Sequence, residues 1–508
     1  MIILIHPPVV KPCEPPAGIA KLSAALEACG IGCEVVDANL EGLIYLSGKP
    51  KSTSDTWTSR AVRNLSRNLS SLGQWPLYAN MDRYKRAVAD VNRVLEISGA
   101  SSPVRVSLGN YQHRELSPVR SVDLIRASER PEENPFYGYF ARRFDDLIRR
   151  ASASHIGFSL NFLNQALCAF AMIGYLRREH PGIKVVLGGG LVTSWMRRPG
   201  WSSPFEGLVH HMVDGPGEDA LLSILGAETE RAGHTMPDYR SFSLSEYLAP
   251  GVILPYSTSS GCYWNKCSFC PERAEGNPYA PVSRDLVVAD LRELVIQTRP
   301  TLIHLLDNAV SPSLMKALID HPPGPPWYGF ARITHHLADP DFCSALKRSG
   351  CVMLKLGLES GDQGVLDHEQ KGIDLQMASR ALETLARCGI ATYVYLLFGT
   401  PSETLTEARK TLDFTVSHID TIGYLNLAIF NLPAYGPENR DLETRELYEG
   451  DLSLYAGFVH PRGWERGSVR RFLDKEFKRH RAVADVLRRD PPLFTSNHAP
   501  LFCCLSKW

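Results

Sequence analysis

No stretch of this chain approaches the roughly twenty consecutive apolar residues of a membrane-spanning helix. The first residues, Met1-Ile2-Ile3-Leu4-Ile5-His6-Pro7-Pro8, lack the basic flank and the length of a secretory leader, so a cytoplasmic protein is expected. Neither charge is in surplus: 55 Lys and Arg face 55 Asp and Glu, which removes the electrostatic ground for nucleic acid or an anionic bilayer as partner. The twelve cysteines are scattered rather than spaced like a secreted scaffold, so disulfides are not the default reading. At 508 residues, with 44% hydrophobic and 22% charged content, two or three globular domains are expected.

One absence is local. After Gly261-Cys262-Tyr263-Trp264-Asn265-Lys266-Cys267-Ser268-Phe269-Cys270, no Cys or His occurs until His304. The loop therefore offers three thiols in a Cys-x4-Cys-x2-Cys spacing and no local fourth ligand. A structural zinc site needs four closed ligands, whereas three thiolates suit a 4Fe-4S cluster with one iron left open for chemistry. The competing readings are a zinc clip completed by distant Cys343 or His304, or three ordinary buried thiols.

These residues resemble the cluster loop of radical S-adenosylmethionine (radical SAM) enzymes. The usual spacing there is Cys-x3-Cys-x2-Cys with an aromatic residue before the last cysteine; Phe269 matches the aromatic, and the first gap is one residue longer here. The resemblance implies that Cys262, Cys267 and Cys270 hold three irons, that SAM chelates the fourth, that Phe269 packs near the adenine, and that a flavodoxin or ferredoxin supplies electrons.

Hydropathy patterning predicts an α/β protein. Ile2 to Ile5 reads as a buried strand, Gly18 to Cys29 as a helix ending at Gly30, and Cys33 to Asp37 as a second strand, which together open a parallel sheet. Residues 45–135 are polar, with helical patches such as Tyr84 to Leu95, and read as a helical insertion. Alternation resumes with strand His155 to Leu160, helix Gln165 to Glu179 and strand Lys184 to Leu187, which runs into Gly188-Gly189-Gly190. A further strand near Met212 ends in Asp214-Gly215-Pro216-Gly217-Glu218. Loops after parallel strands are where such sheets bind ligands. The layout of residues 1–235 resembles the N-terminal cobalamin-binding domain of one branch of radical SAM enzymes, which implies cobalamin contacts from Ser159, Gln165, Gly188, Gly189, Gly190, Gly215 and Gly217. The Asp-x-His-x-x-Gly signature of histidine-ligated cobalamin does not occur.

From Val252 onward strand and helix alternate six times, predicting a partial (β/α)6 barrel over residues 250–435 with reactive groups at the strand ends. Those ends carry Asp307-Asn308, Arg332, Glu359-Ser360-Gly361 and Gly399-Thr400-Pro401. SAM presents an ammonium, a carboxylate, ribose hydroxyls and an adenine, so Asp307, Arg332, Glu359, Ser360, Gly399 and Pro401 are the expected contacts. The run Gly357 to Gly361, with Lys371-Gly372, again resembles the radical SAM branch. Residues 436–508 are expected to be a helical extension, in which Val469, Phe472, Leu473, Phe477, Val483, Val486 and Leu487 recur at helical spacing. Near the end, Cys503 and Cys504 are adjacent and unassigned.

The resemblance implies reductive SAM cleavage to a 5′-deoxyadenosyl radical and, with cobalamin, C-methylation of an unactivated carbon. Two alternatives stay open: cobalamin-independent oxidation, rearrangement or cyclisation, and a non-catalytic zinc or iron–sulfur protein with a redox-sensing role. The substrate is not named by the sequence; a small molecule and a peptide or protein side chain both fit.

Overall fold

Four apolar residues, Ile2–Ile5, form β1, and none exposes more than 2% of its surface. The computed structural model describes residues 1–50, 55–227, 234–436, 441–492 and 499–505. The chain divides into two compact units, the first made mainly of Met1–Ile253 with Glu449–Leu454, the second of Leu254–Tyr448 and Tyr455–Pro491 with the C-terminal helix.

In the first unit β1 is followed by α1 (Ala17–Ala28), β2 (Cys33–Val36) and α2 (Ala38–Ser47). The turn into α2 is set by Asp37, whose carboxylate accepts from Asn39 N and Leu40 N and, on its other oxygen, from Tyr247 Oη at 2.6 Å. The insertion holds α3 (Thr56–Leu72), α4 (Trp75–Tyr78), α5 (Met81–Ser98) and α6 (Ser121–Glu129), and α7 (Tyr137–Ala151) follows it. Buried Asp90 of α5 ties α3 down by accepting from Trp57 Nε1 at 3.1 Å and Asn68 Nδ2 at 3.3 Å. The expected all-helical insertion also contains a hairpin, β3 (Val104–Ser107) with β4 (Asn110–His113), closed by Leu108-Gly109. Its alternating Val104 and Val106 and its two-residue glycine turn are a local signal that the polar composition of the segment masks. Next come β5 (His155–Ser159), α8 (Leu163–Glu179), β6 (Lys184–Gly188), α9 (Gly190–Met196), β7 (His211–Met212) and α10 (Glu218–Ile224). The sheet runs β2-β1-β5-β6-β7, all pairs parallel. Its strand order reverses between β1 and β5, the point where open parallel sheets take ligands at their carboxyl ends.

The second unit starts with β8 (Ile253–Tyr256), a short β9 (Ser259–Ser260), α11 (Pro271–Ala274) and β10 (Ala280–Pro281), then α12 (Arg284–Thr298), β11 (Leu302–Leu305), α13 (Pro312–Asp320) and β12 (Trp327–Ala331). It continues through α14 (Pro340–Arg348), β13 (Cys351–Glu359), α15 (Gln363–His368), α16 (Leu375–Arg387), β14 (Ala391–Phe398), α17 (Leu405–Ser417) and β15 (Tyr424–Ile429). The six long strands form one sheet in the order β15-β14-β13-β12-β11-β8, the partial barrel that the six-fold alternation predicts. Helices α12 to α17 are each capped by the residue type their sequence supplies: Ser283, Ser311, Asp339, Asp362, Asp374 and Thr404 each accept from a backbone N–H of the first turn.

The C-terminal segment departs from the expected helical extension. It first forms a three-stranded antiparallel sheet of β16 (Leu432–Pro433), β17 (Thr444–Glu446) and β18 (Tyr455–Phe458). Only then follow α18 (Arg466–Phe472), a π-turn over Leu473–Phe477, α19 (Arg481–Leu487) and α20 (Ala499–Leu505). Short strands with prolines and glycines carry little periodicity, which is why composition alone points to helix. The apolar stripe behaves as expected: Val469, Phe472, Leu473, Phe477, Val483 and Val486 are buried, and Phe477 meets Phe398 edge to face at 5.2 Å. Cys503 is buried; the side chain of Cys504 lies outside the described residues. No described helix is long and apolar enough to cross a membrane.

Candidate active site

The stem of the cysteine loop is fixed first. Asp307, just beyond β11 and 1% exposed, accepts on Oδ1 from Thr258 Oγ1 and Ser259 Oγ, both at 2.6 Å, and on Oδ2 from Thr258 N at 3.1 Å. Three donors from the end of β8 hold this buried carboxylate, so the expected contact of Asp307 with SAM is corrected: it positions the loop. Gly261 then turns the chain at φ +68°, where an added Cβ would lie 2.4 Å from Pro278 O. Within the longer first gap, Asn265 takes a left-handed φ of 45°, a conformation asparagine tolerates, and so an extra residue is accommodated between Cys262 and Cys267. Cys270 leads into α11, its carbonyl accepting from Arg273 N and Ala274 N.

Two cations stand behind the thiols. Arg332, at the end of β12, donates from Nη1 to Cys267 Sγ at 3.7 Å and from Nη2 to Lys371 O, with its guanidinium over the Trp264 ring at 4.2 Å. Lys371 donates to Glu359 Oε1 at 2.7 Å and lies over the Phe269 ring at 5.5 Å. Burial raises the Cys267 thiol above its ordinary value, with Lys371 and Arg332 opposing that rise, and burial pushes Cys270 up to about 11. Arg332 and Lys371 thus place positive charge beside Cys267, where it would offset the charge of a thiolate bound to a metal centre.

Trp264 Nε1 donates to Gln370 O at 2.9 Å, and Gly372 leaves room for its ring, because a Cβ there would sit 2.2 Å from Trp264 Cζ2. Glu369 is the other clasp. It accepts from Ser268 Oγ on Oε2 and from Ser402 Oγ on Oε1 at 3.2 Å, and its carbonyl accepts from Ser268 N. Sequence reasoning missed Lys371, Glu369 and Trp264 as site residues; the Lys371-Gly372 pair is the one signal that pointed there.

The remaining expected contacts divide. Glu359 closes β13 with a positive φ of 70° next to a register shift, held by Lys371, and Phe269 lies in the same cluster. Gly399, at φ +81° after β14, has Val469 Cγ2 3.1 Å from where a Cβ would stand; Pro401 is half-buried two residues on. Ser360 is corrected: it is buried, its Oγ meets Thr411 Oγ1 at 3.2 Å and accepts from Asp362 N, which makes it an internal turn lock. The zinc-clip alternative loses its distant ligands. Cys343 directs Sγ to Leu337 O at 3.3 Å, and His304 Nε2 lies 3.0 Å from fully buried Lys355 Nζ with its ring stacked on Tyr328. Among the described residues no group of three or more His, Cys, Asp or Glu could hold a single metal ion.

A buried acid sits beside the end of β14. Glu403 Oε2 accepts from Gly399 N and from Trp464 Nε1 at 3.1 Å, while Oε1 has no partner. Burial pushes this carboxyl up to about 8. The native state therefore holds a proton that the unfolded chain releases near 4.5, so stability falls as pH rises from about 4.5 to about 8, by about 1.4 kcal/mol per pH unit at most. Glu403→Gln is expected to flatten that slope in denaturant titrations across pH 5 to 8; an unchanged slope refutes the protonated assignment.

In the first unit the strand ends converge as the sheet order requires. Gln165 is fully buried; its Oε1 accepts from Asn161 N and Phe162 N and its Nε2 donates to Pro7 O at 2.8 Å. It caps α8 and joins the ends of β1 and β5, so its expected ligand contact is corrected to a structural one. Ser159 Oγ accepts from Asn161 Nδ2 at 3.0 Å, and Asn161 Oδ1 accepts from Gly190 N at 3.0 Å. Gly189 (φ +106°) passes so close to Leu160 that a Cβ would lie 2.5 Å from its carbonyl. Gly188 ends β6, Gly215 donates to Thr193 Oγ1 at 2.9 Å, and Gly217 caps α10. At the end of β1, His6 is buried with Nδ1 unpartnered. The result is a carboxyl edge lined by glycines, with a buried, unpartnered imidazole nitrogen of His6 at the end of β1.

A barrel whose first strand feeds three cysteines defines a class: residues 256–415 match the radical SAM superfamily, and the chain carries that domain. Its curated relatives include an uncharacterized methyltransferase of Pyrococcus horikoshii, 25% identical over 193 residues (35% of this chain, 40% of that protein). Another is the tryptophan 2-C-methyltransferase of Streptomyces laurentii, 27% identical over 209 residues (37% of this chain, 35% of that protein). The chain thus spans well under half the length of these relatives. Among solved structures, the radical SAM methyltransferase TsrM of Kitasatospora setae, with tryptophan and a SAM analogue bound, aligns with a TM-score of 0.52 at 15% identity, covering 97% of this chain and 89% of that one. TsrM with cobalamin and a 4Fe-4S cluster bound aligns with a TM-score of 0.52 at 16% identity over 87% and 74%. The two-unit architecture is the fold of those enzymes.

Proposed function

We propose that this protein is a radical SAM enzyme that reductively cleaves SAM to a 5′-deoxyadenosyl radical and uses cobalamin to methylate an unactivated carbon. The observation that supports the reading is a loop carrying Cys262, Cys267 and Cys270 after the carboxyl end of β8, with Arg332 on Cys267 and Lys371 over Phe269. When bound, a 4Fe-4S cluster supplies the electron for sulfonium cleavage and cobalamin supplies the methyl group.

The chain's own residues bind and position. Cys262, Cys267 and Cys270 would hold three irons, with Arg332 and Lys371 offsetting thiolate charge. Glu359, Phe269, Arg332, Gly399 and Pro401 would face SAM, while Asp307, Ser360 and Glu369 fix the loops that present them. In the first unit Ser159, Gly188, Gly189, Gly190, Gly215 and Gly217 would border cobalamin, and Gln165 holds that edge in place. Cytoplasmic location, with a flavodoxin or ferredoxin as electron donor, accords with this chemistry.

Anaerobically reconstituted protein given dithionite and SAM is expected to release 5′-deoxyadenosine and methionine, and to retain corrin absorbance through gel filtration. Stoichiometric zinc with no nucleoside product refutes the enzyme; loss of corrin at saturating ligand refutes the cobalamin-dependent version alone.

A further inference from the structure

A pocket in the second unit lies at the carboxyl ends of β14 and β15, the strand ends where barrels of this kind place their ligands. It is a solvent-open cleft, about 430 Å³ with the open solvent in its mouth counted, between Gly399, Ile429 and Phe430 on one side and β18 and α18 on the other. Its apolar wall comes from Ile429, Phe430, Phe458, Trp464 and Val469, with Phe430 and Phe458 edge to face at 5.6 Å.

Its charges do not cancel. Arg445 pairs with Glu465 at 2.8 Å, so those two neutralise each other. His460 accepts on Nδ1 from Arg462 N and Trp464 N and therefore carries its proton on Nε2, which donates to Thr400 O at 2.8 Å; burial holds the ring neutral. That leaves Arg466. Its guanidinium donates from Nη1 to Phe430 O at 3.1 Å and Asn431 Oδ1 at 2.7 Å, and no carboxylate among the described residues pairs with it. Burial, and after it Arg470, lowers the Arg466 guanidinium from its ordinary value. A partly desolvated cation without a counter-ion favours an anion brought from outside.

We propose that this pocket binds the substrate of the enzyme, and that the substrate is a carboxylate with an aromatic or bulky apolar body, its carboxylate on Arg466 and its body against the apolar wall of Ile429, Phe430 and Phe458. One guanidinium matches the single charge and planar fork of a carboxylate; a phosphate monoester dianion would leave one charge unmatched. The proposal deepens the radical SAM reading and rests on it for the word substrate, but the binding it requires does not depend on the cluster.

The test is calorimetric titration of the cluster-free full-length protein with 3-phenylpropanoate and with its uncharged analogue 3-phenylpropanol. The acid is expected to bind at least tenfold more tightly than the alcohol. Arg466→Gln is expected to erase that preference and Arg466→Lys to restore part of it, while Phe458→Ala weakens both ligands alike. Equal binding of acid and alcohol, no binding of either, a preference that survives in Arg466→Gln, or displacement of the acid by SAM would each overturn the proposal. Because cluster-free protein is used, failure here leaves SAM cleavage to be judged by itself, and acid binding without 5′-deoxyadenosine formation refutes the radical reading while keeping the site.

Discussion

Cys267→Ala is expected to abolish both cluster assembly and SAM cleavage, the largest single effect in the molecule. Cys267 is the most buried of the three thiols and the one that accepts from Arg332. Removing it leaves two sulfurs, too few to hold a cubane against hydrolysis, and leaves the Arg332 guanidinium facing a void. Iron after anaerobic reconstitution should fall from about four per chain to well under one, and 5′-deoxyadenosine should fall below detection. Cys343→Ala is the control: that thiol points to the Leu337 carbonyl, so iron content should be unchanged. Full iron in Cys267→Ala, or iron lost in Cys343→Ala, reverses the ligand assignment.

The second large effect concerns the ion pair beside the thiols. Lys371 and Glu359 side chains are only 8% and 16% exposed and meet at 2.7 Å. Breaking such a pair from one side leaves an uncompensated buried charge, which costs about 3–5 kcal/mol, whereas removing both charges is close to neutral. Lys371→Met is therefore expected to lower stability by about 3 kcal/mol and to lower iron retention, since Lys371 also faces Phe269. Glu359→Gln alone should cost less, because Lys371 keeps an amide acceptor. In Lys371→Met with Glu359→Gln most of the stability should return, while iron retention stays low if the lysine balances thiolate charge. Denaturant melts of the singles and the double give the coupling. Additive losses mean the pair contributes nothing beyond its separate parts.

The barrel was legible in the sequence because its strands are continuous apolar runs with helices of regular length between them; all six long strands begin and end within a few residues of where the pattern places them. The cysteine loop was legible for a chemical reason, three ligands with no neighbouring fourth. The roles of individual acids were not. Asp307, Glu359 and Ser360 all sit at strand ends, and residue type does not reveal that Asp307 folds back on Thr258 while Glu359 meets Lys371, twelve positions away. Gln165 is expected as a ligand contact only from the resemblance to a cobalamin-binding domain; in the fold its Oε1 caps α8 and its Nε2 donates to Pro7 O. The hairpin at Val104–His113 and the sheet of β16 to β18 were hidden by short strands in polar surroundings. The pocket beside Arg466 draws on β14, β15, β17, β18 and α18, a convergence that no window along the chain contains.

The central claim is that three cysteines leave one iron open to SAM, and electron paramagnetic resonance of the dithionite-reduced, reconstituted protein tests it most directly. Adding SAM is expected to change the g-values of the cluster signal, and SAM labelled with ¹⁷O in the carboxylate or ¹⁵N in the amine should add hyperfine coupling to it. A reduced cluster whose signal is identical with and without saturating SAM, with no coupling to either label, would mean that all four irons are held by other ligands and would contradict the account.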